Sequence, residues 1–374
     1  MESDSKRQTY SDPSTTQQSS DQIIHTSYDD HFIKQTHEYG LYILRITKDK
    51  LNSEHMKRIK CLLFYILERV TKNLVIEIKF DEEFDLNFQF IQRVLTNSYN
   101  LLEPEHSKVC PLKQIDVVMP QVFHTQSQLL TNKDISLFIY NESDDSIDQL
   151  LERRSQLYPE NQPLEIVRVQ DILELAMKRF EAVQFIRTNF FEDPIEQNKD
   201  QDFFKYKAVC LGGTFDHMHL GHKLLLTQAL MWTQNRMLVG VTTDGLLKKK
   251  AYAEFLEDFE TRKNNVIQFC RKVNNRVEID AFELSDPVGR AENDEEIEAC
   301  ILTREVEKGG AMINEARTKV GLNQVEMVFV DMILAEEQTD SQNKFSNKTS
   351  STYIRQYLAN KQKKEELEQN QHQQ

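Results

Sequence analysis

An apolar string, Lys207–Leu211 (KAVCL), runs into two adjacent glycines, a polar stretch with three histidines, and an apolar stretch that reaches Trp232. That order reads as strand, turn and helix. The glycines allow the chain to turn sharply off the strand end. The unpaired amides and dipole of the new helix favour an anion at its start. His219 and His222 are three apart and so share a helix face, where two imidazoles can donate hydrogen bonds to phosphate oxygens. Thr214 adds a hydroxyl at the turn. His217 is two from His219 and does not share its face, which argues against a three-histidine metal site.

The same alternation runs through the rest of the chain. Strands are predicted at Tyr39–Ile46, Leu74–Phe80, Gln114–Met119 and Ile135–Tyr140, and helices at Ser53–Val70, Ser146–Arg153 and Asp171–Arg187. Beyond an acidic, proline-containing stretch around Asn189–Gln201, further strands are predicted at Arg236–Thr242, Arg276–Phe282, Cys300–Thr303 and Val325–Asp331. Helices are predicted there at Phe259–Val273, Gly310–Val320 and Ser351–Lys361. This is α/β layering with doubly wound parallel sheets. The expected division is a disordered tail (1–36), a smaller α/β domain (37–190), a linker (191–205), a second α/β domain (206–360) and a polar tail (361–374) that frays or extends the last helix. Of the 10 glycines only Gly40 precedes Gly212, so backbone freedom gathers in the second half, where loops approach a ligand.

The net charge of −14 repels phosphate backbones at long range, which argues against nucleic-acid binding but leaves room for one small phosphate ligand. The longest apolar run, Cys61–Leu67, is too short for a bilayer, and the first residues carry no apolar signal core. A cytoplasmic protein without membrane association is expected. The five cysteines (Cys61, Cys110, Cys210, Cys270, Cys300) are scattered and form no C-x-x-C pair, as suits reduced, buried thiols.

The stretch Gly213-Thr214-Phe215-Asp216…His219-Leu220-Gly221-His222 resembles the HxGH signature of the nucleotidylyltransferase superfamily. Thr349-Ser350-Ser351-Thr352-Tyr353-Ile354-Arg355 resembles that superfamily's late ISSTxIR motif, with Thr349 where an apolar residue is usual and an apparent insertion, Glu336–Lys348, before it. Val241–Lys250 resembles the lysine-bearing loop of phosphopantetheine adenylyltransferases of the eukaryotic and archaeal type. Phe259–Arg262 and Ile301–Arg317 resemble weaker segments of the same family. The likeness covers Ala208–Tyr357, and the region before it is similar to the amino-terminal region of eukaryotic CoA synthase.

The resemblance implies a Rossmann-like nucleotidylyltransferase domain that transfers the adenylyl group of ATP to 4′-phosphopantetheine, giving dephospho-CoA and pyrophosphate. It implies His219, His222 and Lys248 as catalytic residues. It implies Gly213, Thr214, Phe215, His222, Thr303, Glu305, Ser350, Ser351, Thr352 and Arg355 as ATP ligands. Thr214, Lys248, Lys250 and Arg262 would bind the phosphopantetheine substrate. Mg²⁺ is expected to accompany ATP, held by water and phosphates and not by a protein cage. No G-x-x-x-x-G-K-[ST] loop is present, so the next step falls to a separate dephospho-CoA kinase, a candidate partner. The alternatives are a cytidylyltransferase of phosphocholine or phosphoethanolamine, a nicotinamide-mononucleotide adenylyltransferase, and a nucleotide-binding pseudoenzyme scaffold.

Overall fold

The computed structural model describes residues 35–47, 53–109, 111–141, 146–160, 164–180, 202–330, 332–333 and 350–372. The expected amino-terminal tail, most of the expected linker, the loop before the late motif and Cys110 lie outside these residues.

The first half runs β1 (His37–Ile46), α1 (Ser53–Arg69), β2 (Val70–Phe80), α2 (Phe88–Val109), β3 (Gln114–Val118), two single-turn helices α3 (Pro120–Phe123) and α4 (Gln128–Thr131), β4 (Leu137–Tyr140), α5 (Ile147–Leu157), β5 (Glu165–Arg168) and α6 (Val169–Arg179). The second half runs β6 (Tyr206–Gly213), α7 (Leu220–Trp232), β7 (Thr233–Thr242), the short α8 (Asp244–Leu247), α9 (Phe259–Val273), β8 (Glu278–Leu284), β9 (Ile297–Leu302), α10 (Glu307–Lys319), β10 (Glu326–Phe329) and α11 (Ser351–His372).

Each half builds one five-stranded, wholly parallel sheet, in the orders β3-β2-β1-β4-β5 and β10-β9-β6-β7-β8. The second order, read from its far edge, repeats the first. In both, the strand order reverses direction beside the first strand of the half, and ligands of open α/β sheets bind outside the carboxyl ends at such a switch point. In the second sheet it lies between β6 and β9.

The alternation predicted from sequence therefore holds. Sequence patterning did not mark α2 or β5, and several elements run longer than expected. β2 and β7 follow α1 and α7 with no loop, whereas the sequence pattern puts Val70 in the helix and leaves residues 71–73 and 233–235 between elements. The last helix continues fully exposed to the end of the described residues. The four described cysteines are buried and unpaired. Among the described residues no helix is long and apolar enough to cross a membrane.

One apolar core spans both halves. Helix α7 lies between the two sheets and is buried along almost its whole length. On one side it packs against its own sheet. On the other, Trp232 meets Phe88 of α2 at 4.3 Å between rings, and Gln228 accepts a 3.1 Å hydrogen bond from Gln92. Phe203 and Phe204, just before β6, pack against Phe88 and Phe123 of the first half.

Candidate active site

β6 delivers Gly212 and Gly213 at its carboxyl end, beside the switch point. Both glycines remain in the strand, and the sharp turn expected of them is made further on. Phe215 (φ 52°) and His217 (φ 45°) take the left-handed conformation instead. Such a residue costs about 1–2 kcal/mol in strain. Burial of the Phe215 ring and the Asp216 carboxylate between those two positions holds the turn in place. The glycines supply room: a Cβ on Gly213 would stand 3.1 Å from the Phe215 ring.

Asp216 is fully buried and ties three segments together. Its Oδ1 accepts from the Glu257 amide at 3.0 Å, its Oδ2 accepts from Arg355, and its carbonyl accepts from the Ser351 hydroxyl at 2.7 Å. Glu257 returns a contact, accepting from the His217 amide at 2.7 Å. The turn, the Glu257 loop and the start of α11 thus form one lock.

His219 caps α7, its Nδ1 accepting from the Gly221 amide at 3.2 Å. That bond leaves the proton of a neutral His219 on Nε2. The His219 and His222 rings stack at 3.8 Å between centroids and 26° between planes, which is the shared face the spacing predicted. Phe215 backs His222 at 5.4 Å. A Cβ on the intervening Gly221 would meet the His219 ring at 3.1 Å, and the ring would have to give by a few tenths of an ångström. The Nδ1 of His222 is buried without a hydrogen-bond partner. Burial, aided by the neighbouring Lys223 ammonium, pushes the imidazole down to about 3. At neutral pH His222 is uncharged, and its Nδ1 is closed to a ligand.

The late motif divides between capping and locking. The Ser350 hydroxyl accepts from the Tyr353 amide at 3.2 Å and caps α11. Ser351 is bonded to Asp216, as above. Arg355 was expected to reach phosphates; instead it is 1% exposed and spends its guanidinium inside the protein. It donates to Asp216, to the Ala251 carbonyl at 3.0 Å and to the Thr352 hydroxyl at 3.1 Å. A buried carboxylate needs a counter-charge, and Arg355 supplies it.

Arg262, expected at the substrate, is likewise buried. It donates to the carbonyls of Thr214 (2.7 Å), Thr242 (2.8 Å) and Glu257 (3.0 Å) and pairs with Asp244. It staples the carboxyl ends of β6 and β7 to the segment that runs from α8 to the start of α9. Lys248 and Lys250 lie exposed at the end of α8, and Thr303 and Glu305 follow β9 across the switch point. An apolar cavity of about 330 Å³ opens beside these strand ends. Gly212, Leu238, Phe282, Leu284, Leu302 and Met312 form much of its wall.

Among the described residues one group has the spacing of a metal site: Asp216, His217 and Glu257. Both Asp216 oxygens are already committed to Glu257 and Arg355, so this group is a structural lock and a poor cation cage. The roles of Asp216, Arg262 and Arg355 were not readable from sequence, because the partners that fix them are far along the chain: Thr214 is 48 residues from Arg262, and Ala251 and Asp216 are 104 and 139 residues from Arg355. The one available signal was a charged residue set inside each motif.

A family model described as cytidylyltransferase-like matches residues 210–357. An uncharacterized protein of Schizosaccharomyces pombe is 36% identical over 150 residues, 40% of this chain and 48% of its own length. The phosphopantetheine adenylyltransferase of Saccharomyces cerevisiae is 32% identical over 188 residues, 50% of this chain and 59% of its own. That of Pyrococcus abyssi is 34% identical over 151 residues, 40% of this chain and 90% of its own. The matched part thus spans about half the length of the two yeast relatives and nearly all of the archaeal one.

Proposed function

From the premise that the chain belongs to the phosphopantetheine adenylyltransferase family of cytidylyltransferase-like nucleotidyltransferases, we propose that it transfers the adenylyl group of ATP to 4′-phosphopantetheine. The products are dephospho-CoA and pyrophosphate. The observation that carries this reading is the stacked His219–His222 pair at the start of α7, beside a sheet switch point and an apolar cavity.

The substrate phosphate is already an anion and needs no base. One of its oxygens forms a bond to the α-phosphorus of ATP while the bond from that phosphorus to the bridging oxygen breaks, and pyrophosphate leaves. The protein's work is alignment and charge stabilisation. The start of α7 offers its dipole to the phosphates. His222 and His219 donate from Nε2 to oxygens on which charge grows. A neutral His222 suits this role, because it donates without a proton transfer and keeps its strength across physiological pH. Lys248, or its neighbour Lys250, bridges the two phosphates from the exposed end of α8. Thr214 binds the attacking phosphate. Thr303, Glu305 and the hydroxyls of Ser350 and Thr352 border the nucleotide, while the buried Phe215 supports His222 from behind. The apolar cavity takes the pantetheine arm, whose methyl and methylene groups match its lining. ATP brings its own Mg²⁺. Arg262 and Arg355 hold the frame and do not touch substrate.

The test is pyrophosphate release by the purified chain with Mg-ATP or Mg-CTP, against 4′-phosphopantetheine, phosphocholine, phosphoethanolamine and nicotinamide mononucleotide. Release with ATP and 4′-phosphopantetheine alone is expected. Release with CTP and a phosphoalcohol would make the chain a cytidylyltransferase. ATP binding without release from any pair would leave a nucleotide-binding scaffold.

A further inference from the structure

The residue after His222 is a lysine shut away from solvent. Lys223 is 2% exposed, and its ammonium is held by three oxygens from β3 of the other sheet. These are Gln114 Oε1 at 2.7 Å, the Ile115 carbonyl at 3.0 Å and Asp116 Oδ1 at 2.7 Å. Asp116 is equally buried. Its second oxygen accepts from Asn73 of β2 at 3.0 Å and from Lys272 of α9. Burial alone would raise its carboxyl; the Lys223 and Lys272 ammoniums outweigh that and hold it well below the usual carboxylate range. One carboxylate from the amino-terminal sheet therefore pins two helices of the other half.

Consecutive residues of a helix point about 100° apart. Lys223 faces the amino-terminal sheet, and His222 sits against the catalytic-type turn through Phe215. Fixing the lysine fixes the rotation of the whole first turn. An imidazole nitrogen about 6 Å from the axis moves roughly 1 Å when the turn rotates by about 10°. A misplacement of about 1 Å can cost on the order of 10² in rate.

We propose that Asp116 is a positioning residue for the transfer reaction: through Lys223, the amino-terminal α/β unit sets the placement of His219 and His222. This rests on the functional reading above. It gives the first half of the chain a task in the reaction.

Asp116→Asn strands a buried ammonium and lowers both stability and turnover, so by itself it separates nothing. The double variant Asp116→Leu with Lys223→Met replaces the buried pair by apolar groups and leaves only the partly exposed Lys272 to turn to solvent, which restores much of the stability lost in the single variant. Its kcat is expected to stay about 10-fold or more below wild type, with KM for ATP within about 3-fold. Recovery of both melting temperature and kcat would overturn the proposal. Gln114→Ala is the milder variant, should the double one fail to fold. It removes one oxygen and leaves the ion pair, and a kcat lowered several-fold at unchanged KM is expected; unchanged kcat overturns the proposal. Wild-type turnover is the control. A wild type that turns nothing over overturns the functional reading instead. The imidazole ¹⁵N shifts of His219 and His222 then decide: moved in Gln114→Ala they support the positioning, unmoved they sink it.

Discussion

His222 carries two opposed demands. On the proposed reaction it stands where phosphate charge gathers, yet its Nδ1 is walled in without a partner. His222→Ala is expected to lower kcat by about 10²-fold or more while ATP affinity changes only a few-fold; equilibrium ATP titration beside steady-state kinetics separates the two. The buried imidazole also makes a pH prediction. The unfolded chain protonates this residue near 6.5, whereas the folded form stays neutral down to about 3. The associated stability is therefore complete above about pH 6.5. It is lost as pH falls from there toward 3, at up to about 1.4 kcal/mol per pH unit. Urea midpoints measured across that range should fall less steeply for His222→Asn than for wild type. Gly221→Ala pushes on the His219 ring and should cost turnover more than stability. At this scale much was legible. A spacing of three puts two imidazoles on one face, and the stacked rings follow from it. The sealed Nδ1 was not legible, since it depends on how the turn and its neighbours fold around the ring, Phe215 and His219 among them.

Among the elements, the start of α11 and the turn after β6 act as one piece because Arg355 neutralises Asp216 across 139 residues of chain. Removing one partner of a buried pair costs about 3–5 kcal/mol. Arg355→Met should lower the free energy of unfolding by that order, read by urea titration at neutral pH. A loss below about 1 kcal/mol would mean that the guanidinium faces solution and is available to phosphates after all. The late motif was recognisable by its residues, and Ser350 caps its helix as hydroxyls at a helix start do. The destination of the arginine was not recognisable, because a local pattern cannot distinguish a side chain aimed at a ligand from one aimed at a distant carboxylate. Strand boundaries blurred for a simpler reason. Where β7 follows α7 without a loop, no glycine or proline marks the change of period.

For the whole molecule, the decisive element is α7, LGHKLLLTQALMW. A helix with scarcely any polar face is buried on all sides, and one sheet covers only one side. This pattern was in the sequence and implied a second covering layer, which the amino-terminal half provides. The 202–372 fragment, produced alone, should leave the Trp232 face bare. It should bind more apolar fluorescent dye than the full chain and elute as a larger species than its own mass predicts in size-exclusion chromatography. A monomeric fragment that melts like the intact protein would show that the shared core contributes little.

The sandwiching of α7 has a consequence during synthesis. Phe88 and its neighbours on α2 leave the ribosome long before the helix they pack against. At roughly 5–20 residues per second, the stretch from Phe88 to Trp232 takes on the order of ten seconds to make. Throughout that interval the nascent first half shows a greasy surface with nothing to cover it. The hazard of misassembly is therefore concentrated in one window of translation, and it closes when the histidine-bearing helix arrives.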